Sequence, residues 1–535
     1  MYKYWIGVII AGLTVSTGFS QNEGWHLKDK KADGYYGISM DKAYEFVRAK
    51  KLKSKPVIVG IVDSGIDTTH EDLKNVLWVN PKEIPGNGID DDKNGYIEDV
   101  HGWNFLGSRD GKENVEKDSY EAARVYWKLK EKFENVDSSK LSKQEAEDYK
   151  TWLRAKEDVF KNAKDPSEVE FTMRMAENLK AGDAVIRNAL KKDEYSCKDL
   201  VNYNPFNPNA WQFKAILMGF CKDNNSQDLT NKTLLEEVDK DLEKMTLGMK
   251  PPKAYRDDIV KDNYEDINDR YYGNGNLYVG KDAAMHGTHV AGIVGAERGN
   301  GLGMDGVADN VRIMAVRAVP DGDEHDKDVA LAIRYAVDNG ARVINMSFGK
   351  GFSPEKKWVD DAIRYADSKG VLMIHAAGND SKNIDTVFNF PSRAYLDGKR
   401  PVNWITVGAS GDSKIGGLVA DFSNYGKKEV DVFAPGVQIY STVPGGNTYQ
   451  NLQGTSMASP VVAGLAAFIM SYYPSLTATQ VKDIIEKSVV KPTEKVETPG
   501  THKEVMLSEI SKTGGIVNAY EAIKLAATMA AGKKK

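Results

Sequence analysis

Four short stretches of the chain set a reactive side chain among glycines or other small residues. Together they hold what hydrolysis through a serine requires: a hydroxyl, a base for its proton, a carboxylate to orient that base, and donors for an oxyanion. Gly454-Thr455-Ser456-Met457-Ala458-Ser459-Pro460 offers the hydroxyl. The apolar, alanine-rich run that follows reads as a buried helix beginning near Ser456, so free N–H groups and a positive dipole end would lie beside the oxygen. A serine ahead of a helix is also an ordinary N-cap. His286-Gly287-Thr288-His289-Val290-Ala291-Gly292 offers the base, His286. Two histidines three apart also suit a metal, but no Glu stands between them as in H-E-x-x-H and no third ligand follows.

Val62-Asp63-Ser64-Gly65-Ile66-Asp67 ends an apolar run in a carboxylate, which is costly in a buried place unless paired. His375-Ala376-Ala377-Gly378-Asn379 ends another apolar run in a tight turn whose amide can donate to an oxyanion. Asp and Asn are also common turn residues, so each motif is weak by itself.

The elements that must position these residues follow from the apolar periodicity. Residues 57–63 form a continuous apolar run suited to a buried parallel strand. After about residue 275, runs at 312–317, 343–347, 371–376 and 404–407 read as strands. They alternate with helical patterns at 329–339, 355–369 and 456–473. That alternation predicts an α/β domain with a parallel sheet, whose ligands bind at the carboxyl ends of the strands, where Asp63 and Asn379 fall. Between them the texture changes: charged stretches at 116–134 and 140–161 carry apolar residues at helical spacing, predicting a mostly helical insertion over 108–270.

Read together, in the order Asp, His, Ser, the four motifs resemble the subtilase family of serine peptidases. The resemblance covers residues 57–107 and roughly 275–525. It implies a subtilisin-like α/β domain with a mostly parallel central sheet flanked by helices, and a serine endopeptidase activity on proteins or peptides. Asp63, His286 and Ser456 would be the triad and Asn379 the oxyanion donor. Ile344-Asn345-Met346-Ser347-Phe348-Gly349 looks like the family's substrate-lining strand, with Ser347, Phe348 and Gly349 meeting an extended peptide. Phe390-Pro391-Ser392 looks like its proline motif, and Gly515-Ile516-Val517-Asn518-Ala519 like the start of its closing helix. One departure is plain: His286 stands 223 residues after Asp63, where simpler relatives separate the two by a few tens.

Asp90, Asp92 and Asn94 alternate ahead of Gly95, matching the first half of a calcium loop. His101 occupies the position where a standard EF-hand has glutamate, and Asp99 is placed to close a shorter loop. Related subtilases often bind calcium, so a structural Ca2+ held by Asp90, Asp92, Asn94 and Asp99 is expected.

The net charge of −5, from 72 basic and 77 acidic residues, gives no electrostatic case for nucleic acid or an anionic membrane. Lys3, the apolar run 5–15 and the small residues Gly18 and Ser20 predict a cleaved secretory signal over 1–20, hence export to periplasm or medium. The run is too short to span a bilayer, and no transmembrane segment is expected in the mature chain. Residues 21–55 are expected to pack on the α/β domain, whose two parts are 56–107 and 271–525; a basic tail occupies 526–535. Cys197 and Cys221 form either one disulfide or two small buried hydrophobes, and their spacing fits both. Nothing in the pattern fixes an oligomeric state.

Overall fold

Val57–Asp63, apolar until its final carboxylate, forms strand β1 near the middle of a seven-stranded sheet. The computed structural model describes residues 23–161, 166–223, 227, 229–412, 414 and 416–532. The expected signal segment 1–20 and residues 533–535 of the expected tail lie outside the described residues. Along the chain follow β2 (Gly102–Asn104), β3 (Val311–Arg317), β4 (Val343–Met346), β5 (Leu372–Ala376), β6 (Trp404–Ser410) and β7 (Val432–Pro435). Their spatial order is β2-β3-β1-β4-β5-β6-β7, and every neighbouring pair is parallel. The order reverses beside β1, so the sheet is doubly wound and its switch point lies at the carboxyl end of that strand. The expected α/β architecture is therefore present, with the sheet parallel throughout.

Helices cover both faces. On one side Asp326–Asp338 and Lys356–Ser368 bury alanine and branched aliphatic side chains against β1, β3 and β4. On the other, Met285–Gly295 and Thr455–Tyr472 pack together over the sheet. Thr455–Tyr472 is the one helix among the described residues long and apolar enough to cross a membrane, and 89% of that stretch is buried inside the protein, so it is a core helix. A hairpin of Ile439–Val443 and Thr448–Leu452 closes over Met285–Gly295.

The chain divides into two compact units. One holds Ala122–Lys253, and the α/β unit holds the described residues of 23–121 and 254–532. Residues 108–121 and 254–270, at the two edges of the expected insertion, fall within the α/β unit. Residues 108–121 are tied to the α/β unit by backbone bonds such as Asp118 N to Asp321 O at 2.9 Å. Residues 254–270 are tied to it by ion pairs of Arg256 with Asp328 and Lys327 with Asp262. The inserted unit is helical, as its periodicity predicts, with Lys143–Phe160, Pro166–Leu190, Pro208–Asp223 and Asn231–Thr246 as its longest helices. Leu179, Ile186, Phe213, Leu217 and Leu234 form its core around a disulfide between Cys197 and Cys221, whose Cα atoms are 6.6 Å apart.

Residues 23–54 are built into the α/β unit. Trp25 is fully buried and its indole donates to Val437 O at 3.1 Å. Ala519 N donates to Ile38 O at 2.7 Å, and the Tyr44 hydroxyl reaches Val307 O at 3.0 Å.

Among the buried histidines are His26 in this segment, His289 in Met285–Gly295 and His375 in β5. Burial, the main cause in each case, lowers His26 and His289 to about 3 and His375 to about 4. Since the unfolded rings titrate near 6.5, the unfolded chain takes up protons that the fold refuses between pH 6.5 and about 4. Stability therefore falls as pH falls through that window, each ring contributing about 1.4 kcal/mol per pH unit. Denaturant unfolding should lose about 3–4 kcal/mol between pH 6 and 5 from these rings together, and His26→Phe should reduce that loss by about a third. A pH slope indifferent to His26 would contradict this assignment.

Candidate active site

Asp63 ends β1 with its side chain buried, and the sheet register sets it opposite Arg317, the last residue of β3. Its Oδ1 accepts from Ser64 N at 2.8 Å and from His286 Nδ1 at 2.7 Å. The turn that follows is held from β3, because the buried guanidinium of Arg317 donates through Nε to Ser64 O at 2.9 Å. Burial brings Arg317 down to about 10, so it stays charged at neutral pH.

His286 opens its helix against the turn. A Cβ at Gly287 would stand 2.1 Å from Gly65 O and 3.2 Å from Asp63 Oδ1, so only glycine permits this approach. Gly287 N donates to Ser64 Oγ at 3.2 Å, and Asp67 N to Thr288 Oγ1 at 2.9 Å, fastening helix to turn. His289, in the next turn of the helix, is wholly buried, and its Nε2 donates to Gln450 O at 3.0 Å inside the core.

Ser456 lies in the first turn of Thr455–Tyr472, and its Oγ donates to Ser347 O at 3.0 Å. The contact is returned, since Ser347 Oγ donates to Ser456 O at 2.9 Å. Pro460 explains why that carbonyl is available: proline has no N–H for the residue four places earlier. Asn345 bridges Ser347 and Ser459, donating to the first at 2.9 Å and accepting from the second at 2.7 Å.

Asn379 follows β5 in an exposed turn. Its Oδ1 accepts from Thr455 N at 2.8 Å and from the Thr455 hydroxyl at 2.9 Å, which leaves the NH2 group as the end available to a ligand. Gly378 adopts φ +98°, and a Cβ there would lie 2.4 Å from Asn424 Nδ2. Asn424 spans the turn: its Nδ2 donates to Ala377 O at 2.9 Å while its Oδ1 accepts from Asp380 N at 3.0 Å and Lys382 N at 2.8 Å. Ser347, Phe348, Gly349, Asn379 and Ser456 line one cleft of about 320 Å³. His375 supports its wall by donating from Nε2 to Phe348 O at 2.9 Å. Thr455, Asn424 and Arg317 act through folded neighbours and carry no motif of their own. The only sequence signal for Thr455 is its place beside Ser456.

The acidic loop brings Asp90 and Asp92 together with Glu83, which the spacing argument did not include; their carboxylate oxygens lie within 4.8 Å of one another. Asn94 N donates to Asp90 Oδ1 at 3.0 Å and to Asp92 Oδ1 at 3.1 Å, shaping the loop. Glu83 is buried, and its Oε2 has no hydrogen-bond partner among the described residues. Burial raises its pKa. An orphaned buried oxygen beside two carboxylates fits a hard divalent cation. Asp99 points elsewhere: it accepts from the Tyr335 hydroxyl at 2.6 Å, Asn80 at 2.8 Å and Asn94 at 3.0 Å, and burial lifts it to about 6. Asp99 therefore holds the loop to the sheet domain.

Residues 54–505 match the Subtilase family (Peptidase_S8). The chain is similar to the thermophilic serine proteinase of Bacillus sp. (strain AK1), 39% identical over 251 residues, 46% of this chain and 54% of that one. It is 38% identical to the cell wall-associated protease of Bacillus subtilis (strain 168) over 226 residues, 42% of this chain and 23% of the relative. Subtilisin DY of Bacillus licheniformis is 42% identical over 206 residues, 38% of this chain and 69% of the relative. The matches thus span about half of the first relative and under a quarter of the second.

Proposed function

The chain belongs to the subtilase family, and from that premise we propose that it is a serine endopeptidase cleaving proteins through Asp63, His286 and Ser456. The observation that carries the reading is the 2.7 Å hydrogen bond from His286 Nδ1 to buried Asp63. It fixes the tautomer in which Nε2 is the basic nitrogen.

In the mechanism, Nε2 takes the Ser456 proton as Oγ bonds to the scissile carbonyl carbon, and the C=O electron pair moves onto oxygen. The Asn379 NH2 and the Ser456 backbone N–H, at the positive end of its helix, donate to that oxyanion. Asp63 stabilises the imidazolium until it gives its proton to the leaving amine, and the C–N bond breaks. Water then repeats the attack on the ester, losing a proton to His286, which returns it to Ser456 Oγ. The exposed backbone of Gly349 at the cleft edge supports extended binding of the peptide along residues 347–349. The disulfide in the inserted unit supports export to an oxidising compartment, as the apolar N-terminus does.

Calcium is proposed as a structural ion held by Glu83, Asp90 and Asp92, with Asn94 shaping the loop and Asp99 anchoring it. The ion would neutralise the clustered carboxylates and takes no part in acyl transfer. Its removal by chelator should lower the melting temperature, the increment being about 2.7 kcal/mol at calcium a hundredfold above Kd. Glu83→Gln should remove most of that increment; a variant that keeps all of it would place calcium elsewhere.

The activity itself is tested on denatured casein. Wild type should hydrolyse it, and Ser456→Ala should reduce kcat by about 10⁶-fold, with phenylmethylsulfonyl fluoride abolishing wild-type turnover. Full activity in the folded variant would refute the assignment.

A further inference from the structure

Resting on the peptidase reading above, we propose that Asn389 determines side-chain specificity in the cleft beside Ser456, and that this cleft selects lysine or arginine in the substrate. Asn389 lines the cleft together with Ser347, Gly349, Asn379 and Ser456. The next residue, Phe390, exchanges two 2.9 Å backbone hydrogen bonds with Lys350, which fixes Asn389 beside the segment that ends in Gly349.

The orientation of the carboxamide is settled by its bond. Nδ2 donates to Ala377 O at 3.0 Å, so Oδ1 is the free end. A Cβ built on Gly349 would stand 2.9 Å from that oxygen, and one on Gly378 3.7 Å from it, so Oδ1 sits between the two side-chain-free walls. No described residue donates a hydrogen bond to it. The cleft therefore contains a fixed acceptor awaiting a donor.

The charge of the lining points the same way. Exposed Asp380 and buried Glu324 are its ionisable residues, and it contains no Lys, Arg or His. Lys350, one residue beyond Gly349, is committed to Glu121 at 2.7 Å and Asp326 at 2.9 Å. Burial raises the Glu324 carboxyl, and a cation bound beside it would oppose that shift and favour the carboxylate. A phenylalanine side chain would cover Oδ1 without supplying a donor and leave a desolvated acceptor. A glutamate would add a third acid. A lysine ammonium or arginine guanidinium supplies donors and charge together.

The test uses peptide aminomethylcoumarin substrates that differ only in the residue before the scissile bond: Lys, Arg, Phe, Leu or Glu. Active enzyme is counted by fluorophosphonate titration, so misfolded variant protein does not enter the rates. Wild type should cleave Lys and Arg substrates with kcat/KM at least about tenfold above Phe and Leu, with Glu lowest. Asn389→Leu should lower the Lys-to-Phe ratio about tenfold, chiefly through KM. Asn389→Gly, which removes the acceptor without crowding the cleft, should lower it too. A wild-type preference for Phe or Leu, or a Lys-to-Phe ratio unchanged in both variants, overturns the proposal while leaving the peptidase reading intact. Wild type that cleaves no peptide and takes up no fluorophosphonate overturns both.

Discussion

A carboxylate at the buried end of a parallel strand persists only where hydrogen bonds and a partner compensate its lost hydration. Asp63 is in that position, and much of the surrounding architecture meets the requirement. Ser64 N and His286 Nδ1 both donate to Oδ1, and Arg317 fixes the turn that carries Ser64. For His286 to arrive, its helix must approach the backbone of Gly65, which Gly287 allows and a side chain there would forbid. The pairing of Asp63 with a helix of distant sequence origin thus ties β1, β3 and Met285–Gly295 into one rigid corner.

The second half of the site is organised by the same economy of contacts at the ends of β4 and β5. Pro460 leaves the Ser456 carbonyl free, and Ser347 occupies it; Ser456 in turn bonds Ser347. Thr455 orients Asn379, and Asn424 braces the turn from behind. Held through such bonds, the proposed catalytic groups lose little freedom when substrate binds, which is the advantage of preorganised donors. The long insertion fits this scheme because the chain around it is anchored on both sides within the α/β unit: Asn104 and Asn274 exchange backbone bonds of 2.9 and 3.0 Å.

The fold and the site were legible to different depths. Strands such as Val57–Asp63 and helices such as Lys356–Ser368 could be read because a continuous apolar run and a 3.6-residue period survive in any environment. Three-residue β2 offers too few positions for a period to register and exists only through its neighbours. At the site, Asp63 and His286 came from small-residue motifs and do meet. Glu83 approaches Asp90 and Asp92, seven and nine residues along the chain, only when the loop folds, so no local spacing marks it. Asp99 was read as a ligand from its spacing, but its bonds to Tyr335 and Asn80 depend on packing that no local pattern encodes. Burial of Trp25 and His26 likewise follows from tertiary contacts with residues hundreds of positions away.

In the proposed mechanism His286, oriented by Asp63, makes Ser456 the nucleophile. The most direct measurement is intact and peptide mass spectrometry after brief exposure to a fluorophosphonate, on wild type and on His286→Ala. Wild type should carry a single adduct on the peptide containing Ser456, formed at least about a thousandfold more slowly in His286→Ala. An adduct on another residue, or one formed at the same rate without the imidazole, would contradict it.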